Sequence, residues 1–300
     1  MYLDSFSLPI EREDDLRDKQ RDVRKFIDNI YPCGIFFKKQ LYELNFRKVT
    51  ILYGGNGSGK TTVLNLIAEK LDLIRISPFN SGEMFSSYVD ACTASMGFDD
   101  DGNSQRIPNG SRIITSDDVF EYMLAARTNN RDVSEGIYEA LADRARLKYG
   151  DTIKFRGLQD YEELRLQLLA RKKSLTGRGF AHQTAGRETK LDSKGETAFK
   201  FFNEMLLPDK FYCLDEPENS LSPKLQIEMA KAIEELARYC GCQFVIATHS
   251  PFLLAIDGAR VYDLDHYPVE VRNWWELENV KVYYDFFETN RGLLEKKQDF

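Results

Sequence analysis

The chain has 300 residues, enough for one large domain or two small ones, and its 42% hydrophobic and 30% charged residues exclude disorder and collagen-like repeats. Lys plus Arg number 41 and Asp plus Glu 48, so the net charge of −7 argues against a whole surface built to hold nucleic acid or acidic lipid. Apolar runs such as FVIA at 244–247 fall far short of the roughly 20 residues of a membrane helix, and five scattered cysteines make no disulfide framework.

Residues 11–25 hold six acids and six bases, which cancel, and read as a solvated helix or an arm. VTILY at 49–53 predicts a strand, and TVLNLIAEKL at 62–71 has helical spacing, with a glycine turn between them. Residues 97–112 carry Gly, Asn, Asp and Pro at the density of a loop or hairpin. From 117 the pattern changes to long charged helical segments, DDVFEYMLAAR, SEGIYEALADRARLKY and DYEELRLQLLARKK. They predict a helical lobe, 117–190, inserted into a single domain that spans 1–300. FYCLD at 211–215 and CQFVIATH at 242–249 are further strands. The helix between them has Leu225, Met229, Ile233 and Leu236 on one face and Ser222–Pro223 at its start. Strands alternating with helices predict an α/β fold with a mostly parallel sheet covered on both faces. At 270–300 an aromatic-rich segment, with Trp274, Trp275, Tyr283, Tyr284, Phe286 and Phe287, is expected to dock on the core; a partner surface is the alternative.

The first chemical motif is Gly54, Gly55, Asn56, Gly57, Ser58, Gly59, Lys60, Thr61 and Thr62, a strand-to-helix G-x-x-x-x-G-K-T loop. Its glycines let backbone N–H groups converge on an anion, and the helix N-terminus adds positive potential. Lys60 is expected to reach the β- and γ-phosphates of ATP, and Thr61 to offer its hydroxyl to Mg²⁺. The second motif ends the strand FYCLD: Asp215 suits the Mg²⁺ shell and Glu216 suits polarising the attacking water. The third is ATHSP at 247–251, where His249 closes a strand and can face a γ-phosphate.

The order LYGGNGSGKTT, DSKGET, YCLDEPENSLSP, IATHSP resembles an ABC-class nucleotide-binding domain. More narrowly it is similar to soluble bacterial AAA-type ATPases with no membrane subunit, relatives in architecture of the SMC and RecF ATPases. The resemblance covers roughly 30–290 and implies a P-loop NTPase fold of ABC type. It places Ser193, Lys194, Gly195 and Glu196 in the signature, which contacts the ATP of a second copy in a head-to-tail homodimer. Transporter ATPases usually spell this motif LSGGQ, and LDSKGET departs from it. Asn219, Ser220, Leu221 and Ser222 match the loop that touches the partner subunit. Glu216 becomes the water-activating residue and His249 the γ-phosphate switch. The glutamine-loop position stays open between Gln105 and the end of SRIIT near Ser116 and Asp117. The adenine-stacking residue stays open among Phe36, Phe37 and Phe46, each of which reads first as core.

The resemblance implies a cytoplasmic ATP-driven switch that controls an effector protein, as in bacterial defence. A RecF- or SMC-like nucleic-acid ATPase is the alternative, and an ABC transporter subunit a further one. Between 165 and 190 stand seven bases (Arg165, Arg171, Lys172, Lys173, Arg178, Arg187, Lys190) and one acid (Glu188), the place where nucleic acid is expected if it binds.

Overall fold

The protein is described from a computed structural model, covering residues 1–11, 30–79, 81, 83–99, 101–125, 144, 147, 161–172, 176 and 194–295. In chain order the strands are β1 (Leu3–Ser7), β2 (Glu43–Asn45), β3 (Val49–Tyr53), β4 (Thr93–Met96), β5 (Arg112–Thr115), β6 (Phe211–Asp215), β7 (Gln243–Ala247), β8 (Arg260–Asp263) and β9 (Glu270–Arg272). The helices are α1 (Lys60–Lys70), α2 (Glu83–Ala91), α3 (Tyr161–Arg171), α4 (Lys194–Met205), α5 (Pro223–Tyr239), α6 (Pro251–Leu254), α7 (Glu278–Thr289) and α8 (Arg291–Leu294), with a further helical run at 116–125.

The apolar runs VTILY, FYCLD and QFVIA form β3, β6 and β7, each buried along its whole length. Continuous apolar strands of this kind suit a parallel sheet covered on both faces. They sit in a six-stranded sheet of order β5-β6-β7-β3-β8-β9, parallel throughout except for β8 with β9. The register aligns Thr115 with Asp215, Asp215 with Ala247, and Ala247 with Leu52. The loops after β3, β6 and β7 therefore open at one edge, the carboxyl ends of the strands, where open α/β sheets hold ligands.

A second, antiparallel sheet of order β2-β1-β4 was not expected from the sequence. Its strands are short, β2 has three residues, and β4 (TASM) is half exposed, so neither carries a continuous apolar run. The two sheets are stitched by a buried amide. Gln243 Oε1 accepts from the N–H groups of Tyr2 (2.8 Å) and Leu3 (2.9 Å), and its Nε2 donates to Leu3 O (2.7 Å) and Arg47 O (3.2 Å).

The chain divides into two compact units, Met1–Phe120 with Lys194–Phe300, and Glu121–Ser193. Within the second, Leu147 and Ala170 are buried, with Leu166 and Leu169 packed against them. The 11–25 charge run beyond Glu11, most of SEGIYEALADRARLKY, Ser193 and most of the 165–190 patch lie outside the described residues.

Ser222 occupies the N-cap of α5 with Pro223 following, but its side chain makes no capping bond. The aromatic segment touches the core at its start, where Leu277 is fully buried, yet α7 has no buried residue. Trp275, Tyr283, Tyr284, Phe286 and Phe287 are all exposed. No helix among the described residues is long and apolar enough to cross a membrane.

Candidate active site

The loop from Gly54 to Gly59 is shaped by close approaches that only glycine permits. A Cβ on Gly59 (φ 99°) would stand 3.2 Å from both Ile35 Cγ2 and Phe36 Cε1, and one on Gly54 only 2.6 Å from Ser58 Oγ. The curl carries the chain from β3 into α1, whose first turn holds no acid and whose N-terminus has no side-chain cap. Such an end presents free N–H groups and positive potential to an anion. Lys60 is 4% exposed, and its Nζ donates to Gly54 O (2.7 Å) and Gly55 O (3.1 Å). Ser58 Oγ is buried with no hydrogen-bond partner. A buried lysine whose hydrogen bonds go to carbonyls of its own loop, beside an orphaned hydroxyl, fits a phosphate group that would engage both.

The loop after β6 meets this cradle. Thr61 Oγ1 donates to Asp215 Oδ1 at 3.1 Å, and Glu216 Oε1 lies 3.6 Å from Lys60 Nζ. Burial pushes the Asp215 carboxyl up to about 6; the Thr61 hydrogen bond pulls down, the neighbouring Glu216 charge pushes up and Lys60 pulls down. Glu216 has φ 47° and ψ 53°, a left-handed conformation that costs a non-glycine residue about 1–3 kcal/mol and points to a functional constraint. Its Oε2 accepts from the Asn219 amide at 3.0 Å. The hydroxyl of Thr61 and the carboxylate of Asp215 are adjacent hard oxygen donors, the set Mg²⁺ prefers when phosphates and water complete its shell. No group of three His, Cys, Asp or Glu among the described residues could hold a metal alone.

His249 follows β7 and lines a cleft of about 420 Å³ together with Tyr53, Gly54, Gly55, Asn56 and Asp265. Its carbonyl accepts from the Asn279 amide at 3.2 Å, which ties the start of α7 to the cleft. Gly195, at the start of α4, packs on the other strand-end loop: a Cβ there would be 3.0 Å from Leu225 Cδ1, 3.6 Å from Ser220 O and 3.8 Å from Ser222 N. The signature start and the 219–222 loop thus form one cluster.

Gln105 is not at the end of β5; its N–H bonds Gly97 O beside a Phe98–Ser104 bridge. The end of β5, beside Asp215, leads into 116–125, and buried Asp118 accepts there from the N–H groups of Thr115 (2.7 Å) and Ser77 (2.8 Å). Phe36 and Phe46 are core residues, and Phe37 is half-buried.

Three residues at the site carried no sequence signal strong enough to single them out. Asp265 Oδ2 accepts from the Gly55 N–H at 2.7 Å. Tyr31 Oη donates to Thr62 Oγ1 at 3.2 Å. Glu218 Oε1 accepts from the Thr248 hydroxyl at 2.6 Å and from the His249 N–H at 3.0 Å. Only Glu218 had a hint, an acid two places beyond Glu216 within PEN.

Residues 118–255 match the family model described as "AAA domain, putative AbiEii toxin, Type IV TA system", a stretch that holds Asp215, Glu216 and His249 but begins after the phosphate loop. Among solved structures the chain is similar to the SMC head domain from Thermotoga maritima, at 16% identity over 91% of this chain and 99% of that one, with a TM-score of 0.39. It is similar to the Pyrococcus furiosus Smc head domain bound to the C-terminal domain of ScpA, at 12% identity over 97% and 99%, with a TM-score of 0.41. It is also similar to a dimeric ATP-binding cassette in a post-hydrolysis state bound to ADP and Pi, at 16% identity over 74% and 84%, with a TM-score of 0.33. No curated protein gives a significant match. At these scores the fold rests on the chain's own strand order and on where its motifs fall in it. With the phosphate loop leaving β3, the acidic pair leaving β6, His249 leaving β7 between them, and the AAA-domain match across 118–255, the chain has an α/β P-loop fold.

Proposed function

We propose that the protein is a Mg²⁺-dependent ATPase that works as a switch. ATP draws two copies together head to tail, hydrolysis releases them, and the cycle controls an effector protein. The observation that carries this reading is the meeting of two loops 154 residues apart in sequence, Thr61 with Asp215 at 3.1 Å and Lys60 with Glu216 at 3.6 Å.

Lys60, Ser58 and the N–H groups at the start of α1 bind the phosphates. Thr61 and Asp215 would hold Mg²⁺, which when bound supplies neutralising charge to the phosphate oxygens. Glu216 accepts a proton from the attacking water as the water oxygen bonds to the γ-phosphorus and the bond to the bridging oxygen of ADP breaks. In the present arrangement Lys60 and Asn219 engage both oxygens of Glu216. Phosphates that compete for Lys60 would free one of them for the water.

The shared cluster of Gly195 with Ser220 and Ser222 supports a common surface for the second copy. The exposed aromatic face of α7 and the toxin–antitoxin description of the matched family support a protein effector in bacterial defence. The test is native mass measurement and ATP turnover with Glu216→Gln beside the wild type. The variant is expected to lose about 10²–10⁴-fold in turnover, keep ATP and double its mass with Mg-ATP. A variant that turns over ATP at the wild-type rate overturns the role of Glu216. A wild type that neither dimerises nor cleaves ATP overturns the switch.

A further inference from the structure

Glu218 stands in the 3-10 turn Pro217–Ser220 and is 6% exposed. One carboxylate oxygen, Oε1, takes both the Thr248 hydroxyl (2.6 Å) and the His249 N–H (3.0 Å), and lies 3.7 Å from His249 Nδ1. The other, Oε2, is buried with no hydrogen-bond partner. The bonds continue. Thr248 Oγ accepts from the Ser250 N–H (3.0 Å), and Ser250 Oγ donates to Gln226 Oε1 (2.7 Å). Gln226 Nε2 in turn donates to Leu221 O (2.9 Å). A chain of buried and half-buried polar groups therefore runs from the loop after β6, through the loop after β7 and α5, back to the 219–222 loop.

A buried carboxylate is costly unless its charge is matched and both oxygens are bonded. Two neutral donors on one oxygen do not meet that requirement, and the His249 imidazole stands beside that same oxygen, its Nδ1 3.7 Å away. We propose that Glu218 is a positioning residue for His249, a role that rests on the reading of His249 as the contact for the terminal phosphate. The bond to the His249 N–H fixes where the residue leaves β7. The same carboxylate oxygen stands 3.7 Å from Nδ1, and His249 lines the cleft with Gly54, Gly55 and Asn56. Through Gln226 and Leu221 the same chain of groups carries the presence of the phosphate to the loop expected to meet the second copy.

The test compares ATP turnover, KM and thermal stability of the full chain as wild type, Glu218→Gln, His249→Ala and the double variant, with Lys60→Ala as control. Gln keeps the shape and an accepting oxygen for Thr248 and His249 but removes the charge. Expected are a kcat lowered about tenfold to a hundredfold, a KM near the wild-type value and a melting temperature at or above it. In the His249→Ala background the same change should cost less than about twofold, because the two residues act as one unit. A kcat within about twofold of wild type for Glu218→Gln, or an equal loss with and without His249, overturns the role. Should the Gln variant not fold, Thr248→Val removes one bond to the carboxylate and is expected to give a smaller loss that again depends on His249; a loss that adds to that of His249→Ala overturns the role. A Lys60→Ala chain that still turns over ATP overturns the nucleotide-site reading and this role with it, an outcome distinct from the others.

Discussion

The loop after β6 and the helix α7 both hold His249, one through Glu218 and the other through Asn279, and they are covered in opposite ways. Around the first, charged and polar groups are buried and bonded within the chain: Lys60, Asp215, Glu218, Thr248 and Ser250 are each less than a tenth exposed. In the second, large apolar side chains stand in solvent, Tyr284 at 66% and Phe286 at 60%. Buried polar groups are retained when their partners lie within the chain or in its ligand; exposed aromatics mark a surface completed from outside. The wired side should therefore answer to substitutions with large losses, and the aromatic side with almost none in the isolated chain.

The largest effect expected on the wired side is at Lys60. Lys60→Ala removes the ammonium that bonds Gly54 O and Gly55 O and faces Glu216, and leaves that carboxylate without its cation. Nucleotide affinity, measured by calorimetry, is expected to fall about a hundredfold or more. Unchanged affinity would show that Lys60 does not hold the nucleotide.

Next is Gln243→Leu, which tests wiring away from nucleotide. It leaves two N–H donors and two carbonyls of Tyr2, Leu3 and Arg47 without the side-chain bonds that join the two sheets. A loss of about 3 kcal/mol is expected, or about 6–10 °C in melting temperature. A smaller shift would mean that water or backbone takes over those groups.

The smallest expected effect on the wired side has the opposite sign. Asp215 has its carboxyl raised from 3.8 to about 6 by burial. A carboxyl raised in the folded state gives stability that is full below its unfolded value and lost as pH rises through its folded value. The folded chain therefore carries the charge at a cost above about pH 6. Asp215→Asn, which still accepts from Thr61, is expected to raise the melting temperature by about 2–5 °C at neutral pH in EDTA. The gain should shrink as pH falls from about 6 to 4. A variant less stable than wild type at neutral pH would show that the charge is compensated.

What was legible in the sequence follows from chain continuity. The loop Gly54–Thr62, the acidic pair after FYCLD and His249 after QFVIA are each read from one strand and the residues that follow it, and each stands at the shared sheet edge. Contacts between distant segments were not legible. Gln243 meets Leu3 across 240 positions and Glu218 meets His249 across 31, and a single side chain leaves no periodicity to announce either. The antiparallel sheet escaped because three- and four-residue strands with half-exposed side chains lack a pattern. The tail is a different case. Aromatic density predicts burial only on average, and composition cannot tell burial within a chain from burial against another.

That last point defines the smallest effect. Phe286→Ser with Phe287→Ser removes two rings that are 60% and 53% exposed and that pack edge to face, 5.5 Å apart, on a helix with no buried residue. Little area is lost from the core, and exposed substitutions of this kind usually fall within about 0.5 kcal/mol. The melting temperature of the isolated chain is expected to move by no more than about 2 °C, measured by scanning calorimetry without nucleotide. A drop of several degrees would mean that the rings are covered in solution and that α7 belongs with the core. An unchanged value places the face outside the chain's own folding energy, where an apolar patch beside the cleft lined by His249 marks a docking surface.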